Sequence, residues 1–97
     1  MTIYECVAEA LDYGENPNAV EDLKDMLSAF PDIEITSTII EEGDPIKDGA
    51  GAGVIFKIPE DKYKETNTKY REEAAKVYGC DPMYYRLGLS ISRKITK

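Results

Sequence analysis

The chain is 97 residues long, 42% hydrophobic and 32% charged, with a net charge of −7. That is enough for one domain around a single small core, and it is not the composition of a disordered segment. It contains no histidine, which removes the commonest general base at neutral pH and the commonest metal ligand.

The first segment, TIYECVAEAL, has two periodicities. As a strand it puts Tyr4, Cys6, Ala8 and Ala10 on one face and Ile3, Glu5, Val7, Glu9 and Leu11 on the other. As a helix it has a stripe of Ile3, Val7, Ala10 and Leu11 with Thr2 and Glu5 as a capping box. We favour the strand because it completes a βαββαβ order, and the helical alternative, ααββαβ, stays open.

NPNAVEDLKDMLSAFPD follows as a helix, with Asn18 expected as N-cap, Glu21 three residues on, Val20, Leu23, Leu27 and Phe30 along one face, and Pro31 as the stop. IEITSTIIEE is a strand rich in β-branched residues. Ile33, Ile35 and Ile39 share its inward side, where Ser37 is the one polar residue.

The stretch DGAGAGVIF, residues 48–56, invites a phosphate-loop reading that its surroundings deny. A dinucleotide fingerprint places glycines before a helix, whereas these lead into the strand GVIFKI, and no Lys-Ser/Thr pair follows. As a calcium loop, Asp44 and Asp48 would have Ile46 and Lys47 where ligands are wanted and Ile55 where the closing carboxylate belongs. A hairpin connection is the better expectation.

EDKYKETNTKYREEAAKVYG aligns Tyr63, Asn67, Tyr70, Ala74 and Val77 on one side of a helix that Gly79 ends, and Asp81-Pro82 turns the chain. In YYRLGLSISRKIT, Tyr85, Leu87, Leu89, Ile91 and Ile95 alternate with Arg86, Gly88, Ser90, Ser92 and Lys94, the mark of a half-buried strand. The sum is one α+β domain over residues 1–97. Its layout resembles the ferredoxin-like plan: one four-stranded antiparallel sheet with two helices on one face. That plan hosts many unrelated functions and implies architecture only.

Chemistry-bearing candidates are few. The paired carboxylates, Glu41-Glu42 and Glu72-Glu73, lie in polar surroundings, where no apolar pocket raises a pKa for acid–base work. Cys80 follows a helix C-terminus, whose partial negative charge disfavours a thiolate, and Cys6 is expected to be a core filler. Tyr63 and Tyr70 are expected in the core, and Tyr13, Tyr78 and Tyr84 near element ends as candidates for a recognition surface. The open sheet face lacks an aromatic platform for RNA, and Glu5 and Glu9 are expected to neutralise its arginines, as in a cross-strand salt-bridge face or a dimer surface.

Residues 1–50 hold 13 Asp and Glu against 2 Lys and Arg, net −11, and residues 51–97 hold 6 against 10, net +4. A non-enzymatic acidic domain is therefore expected, one that docks on a basic protein surface, for instance as an inhibitor or nucleic-acid-mimicking decoy. The expected contact residues are Glu21, Asp22 and Asp25 on the first helix with Glu41, Glu42, Asp44 and Asp48 near the loop. No cofactor, metal, nucleic acid or membrane is expected. No apolar run reaches the roughly 18 residues of a membrane span, and the N-terminus lacks a signal-peptide pattern, so a cytoplasmic location is expected. Two alternatives stand beside this expectation: a dimeric ligand-binding or regulatory module with a Gly-rich contact loop, and a carboxylate- or tyrosine-based enzyme.

Overall fold

A computed structural model of the chain describes residues 1–40 and 51–96. Its elements run β1 (Thr2–Glu9), α1 (Ala19–Ser28), β2 (Glu34–Ile40), β3 (Ala52–Pro59), α2 (Glu60–Tyr78), a 3-10 turn (Tyr85–Leu87) and β4 (Ser90–Thr96). The strands form one antiparallel sheet in the order β2-β3-β1-β4. This is the ferredoxin-like βαββαβ arrangement, and the N-terminal segment is a strand.

Alternation along β1 and β3 builds the core directly. Cys6, Ala8, Val54, Phe56 and Ile58 are buried beneath the helices, where they meet Leu23 and Leu27 from α1 and Tyr70 and Ala74 from α2. Small residues on β1 face large ones on β3, with Cys6 opposite Phe56 and Ala8 opposite Val54, so the two central strands fill one layer without crowding. Gly53 is required at its position: a Cβ there would stand 2.6 Å from the Ala8 carbonyl oxygen.

The helix ends differ in how closely they follow the sequence pattern. Gly79 caps α2 in the left-handed conformation at φ 68°, with the Cys80 N–H returning to the Ala75 carbonyl. Asn18 makes no side-chain cap on α1, because its φ of −103° and ψ of 16° do not turn the amide back over the first helical N–H groups. Asn16 fastens that entry instead. Its Oδ1 accepts the Asn18 N–H at 2.9 Å, and its Nδ2 donates to Asp12 at 3.0 Å and Asp22 at 2.9 Å. On α2 the buried stripe is Thr66, Tyr70, Ala74 and Ala75. Val77 departs from the expected stripe and is 63% exposed, while the next residue, Tyr78, packs against the core.

Two β-bulges shift the phase of the edge strands. Ile35 lies opposite Phe56 but Ser37 lies opposite Ile55, leaving Thr36 as the extra residue in β2. Likewise Glu5 faces Arg93 and Cys6 faces Ile91, leaving Ser92 extra in β4. One inserted residue reverses the facing of everything beyond it. Ser37 and Ile39 therefore lie on the open face, Ile95 joins them there beside Ile3, and Lys94 moves to the helix side over the Tyr4 ring at 5.6 Å.

The segment expected to begin the last strand at residue 84 is drawn into the 3-10 turn instead. Arg71 of α2 donates from Nη1 to the carbonyls of Pro82 and Tyr84, both at 3.1 Å. This folds residues 82–87 against the helix before the strand begins.

Candidate functional site

The open face of the sheet carries rows of side chains that cross all its strands. One row runs Glu34, Lys57, Glu5, Arg93, alternating in sign from β2 to β4, with Arg93 donating to Glu5 at 3.2 Å. The row beside it is Ser37, Ile55, Val7, Ser90, and the next begins Ile39, Gly53, Glu9. Glu9 receives Arg86 from the 3-10 turn side-on, Nε at 3.2 Å to one carboxylate oxygen and Nη2 to the other. The arginines expected to be neutralised by Glu5 and Glu9 are so paired, and this side of the sheet is charge-balanced.

Gly53 has no side chain between Ile39 and Glu9, so the third row is hollow. The 3-10 turn forms one wall of the hollow, and the result is a groove of about 400 Å³ lined by Val7, Glu9, Ile39, Gly53, Tyr85 and Arg86, with Gly51, Ala52, Gly88 and Ser90 completing it. Tyr85, expected on the apolar side of a strand, is instead 79% exposed at this wall, edge-on to Tyr84 with ring centroids 5.1 Å apart. The Tyr84 side chain also bonds Arg86, and together with Glu9 it raises the arginine's already high pKa, Glu9 contributing most. Sequence reasoning missed this groove. Its glycines were visible, but the bulge that brings Ile39 to the same face leaves no mark in a period-two pattern.

The acidic surface lies on the other side of the sheet. Glu21, Asp22 and Asp25 are exposed on α1, and Lys24 reaches Glu21 only at 3.8 Å. Residues 12–32 hold Asp12, Glu15, Glu21, Asp22, Asp25 and Asp32 against that single lysine. Asn16 donates to Asp12 and Asp22 from one amide nitrogen, a shared donor that sequence spacing did not suggest. Glu41, Glu42, Asp44 and Asp48 lie outside the described residues, as does most of the connection between β2 and β3.

Cys6, Tyr63, Tyr70 and Tyr78 pack in or against the core. Cys6 is fully buried, and burial pushes its thiol up to about 11, with the Glu5 charge adding to the shift; a thiol so protonated is a poor nucleophile. Tyr63 meets Tyr4 edge-on at 5.5 Å, and Tyr70 is buried against Phe30. Tyr78 is half-buried, its pKa raised to about 12 chiefly by burial and then by Asp12. Among the described residues no group of three or more Cys, Asp or Glu side chains is placed to hold a metal ion, and no described helix is long and apolar enough to cross a membrane. Comparison with family models, curated proteins and solved structures finds no match to this chain.

Proposed function

We propose that this chain is a small non-enzymatic interaction domain of the cytoplasm that docks its α1 side on a basic surface of a protein partner. The observation that carries the reading is the segregation of charge across the fold. Six carboxylates stand against one lysine between residues 12 and 32, whereas α2 and the open sheet face balance their charges. An acidic face of this kind steers a basic partner over long range and repels nucleic acid and anionic lipid. An inhibitor that occupies the basic groove of a nucleic-acid enzyme is one form such docking takes.

The test is affinity capture from host lysate at low and moderate salt, comparing the native chain with a Glu21→Lys/Asp25→Lys variant. Asp22 is left intact because it holds Asn16. One stoichiometric basic protein, released as salt rises and absent from the variant's eluate, is the expected result. A partner retained equally by the variant would sink the assignment of α1.

A second reading is favoured by the groove on the open face: a regulatory module that binds a small molecule. The groove and the acidic helix lie on opposite sides of the sheet, so one chain has room for both roles.

A further inference from the structure

We propose that the groove between the 3-10 turn and the open sheet face binds a free α-amino acid with an apolar side chain, an inference that deepens the ligand-binding reading of the same groove. The argument begins with the Glu9–Arg86 pair at the groove wall. Arg86 meets the carboxylate side-on, through Nε and Nη2, and each side chain remains 42% exposed. The pair therefore presents an accessible negative end and an accessible positive end in direct contact with one another.

A simple anion approaching this pair gains from Arg86 and is repelled by Glu9, and a simple cation meets the reverse. A zwitterion whose two charges are one carbon apart gains from both, its carboxylate on the guanidinium and its ammonium on the Glu9 oxygens. A zwitterion with its charges far apart along a chain does not match two groups already in hydrogen-bond contact. The rest of the groove sets the side-chain class, because Val7, Ile39 and the exposed Tyr85 ring offer apolar surface beside the pair. Its volume of about 400 Å³ holds a molecule of this size, at the lower end of ordinary small-ligand sites.

The experiment is a titration of the full chain, followed by the backbone amide spectrum, with L-leucine and L-phenylalanine as probes. N-acetyl-L-leucine and L-leucinamide, which each lack one charge, serve as controls alongside acetate and inorganic phosphate. Saturable shifts centred on Val7, Glu9, Gly53 and Ser90 are expected with the free amino acids. Blocking either charge is expected to weaken binding at least about tenfold, the worth of one charge-assisted hydrogen bond.

Two variants sharpen the outcome. Gly51→Leu adds its side chain at the groove lining, where a Cβ meets nothing within 4 Å among the described residues, and it narrows the groove mouth. Arg86→Met removes the positive end of an exposed pair at little cost in stability. Both are expected to lose the leucine-induced shifts while the rest of the spectrum is kept.

Absence of saturable shifts with both free amino acids overturns the proposal, as does equal binding of the acetylated or amidated form. Those outcomes need only the native chain, so they stand even if a variant fails to fold. Shifts at the same amides with acetate or phosphate, and none with the amino acids, overturn the amino-acid assignment while keeping the groove as a site. Silence with every probe removes the ligand-binding reading itself.

Discussion

Ser92 donates its hydroxyl proton to the carbonyl of Glu5 at 3.1 Å, and this bond lies at the bulge that decides which way the end of β4 faces. Thr36 makes the equivalent bond to the Ile55 carbonyl at 3.1 Å in the bulge of β2. Each edge strand thus carries its extra residue as a hydroxyl bonded to the central strand beside it. Both edges are locally twisted and kept from presenting a long flat ladder to another chain.

This arrangement gives the first prediction. Ser92→Ala removes one exposed hydrogen bond and keeps the residue count, so it is expected to cost about 1 kcal/mol or less in urea denaturation. Deleting Ser92 takes out the extra residue, so Arg93 follows Ile91 in simple alternation and keeps its place opposite Glu5, with Lys94 and Ile95 facing as before. That is expected to cost about as little, on the order of 1 kcal/mol, because no side chain changes face. A loss several times larger for the deletion, on the order of 3 kcal/mol, would show that Arg93 had been turned beneath the helices and that Ser92 is not the extra residue.

The same bulges explain how far the sequence could be read. The element order, the two helices and the Gly79 stop follow from periodicity and from the left-handed cap, both of which depend on local chemistry. Ile39 and Ile95 were misplaced because counting by two assumes that no residue is inserted, and the hydroxyls of Thr36 and Ser92 look like ordinary strand residues. Arg71 holds residues 82–87 out of the strand through carbonyls 11 and 13 positions away, a tertiary choice that no window of sequence contains. The groove depends on both effects, since Ile39 arrives through one bulge and Tyr85 and Arg86 through the displaced turn. The acidic side needed neither, because helix α1 exposes Glu21, Asp22 and Asp25 wherever its apolar stripe is buried.

A second prediction concerns the entry to β4. Tyr63 donates to the Leu89 carbonyl at 2.5 Å, and Asn67 accepts the Leu89 N–H at 2.9 Å. One turn of α2 therefore holds both backbone groups of a residue whose side chain is in the core. Tyr63→Phe keeps the ring against Tyr4 and leaves a part-buried carbonyl unpaired, at an expected cost of about 1–2 kcal/mol. Asn67→Ala leaves the N–H unpaired and is expected to cost a comparable amount. The double variant should cost less than the sum, since freeing one side of Leu89 lets the other find water. Strict additivity in denaturation midpoints would argue that the two bonds act independently.

The third prediction is an alkaline limit to stability. Burial is the main cause that pushes the Cys6 thiol from 9.0 to about 11 and the Tyr78 phenol from 10.0 to about 12, and it raises Tyr70 as well. In each case the fold favours the protonated, neutral form. Below the unfolded-state pKa both states hold the proton and these groups add no slope. Above it the unfolded chain releases the proton first, so stability falls as pH rises toward the folded-state value. The Cys6 contribution is therefore lost between 9.0 and about 11, and that of Tyr78 between 10.0 and about 12. Under reducing conditions the thermal midpoint is expected to begin its fall near pH 9 in the native chain. Cys6→Ala, which removes the thiol and leaves the core apolar, should move the onset toward pH 10, where the tyrosines begin to ionise in the unfolded chain. Parallel curves for the two proteins, offset by a constant amount, would mean that the buried thiol does not couple to folding and that the alkaline transition belongs to the tyrosines alone.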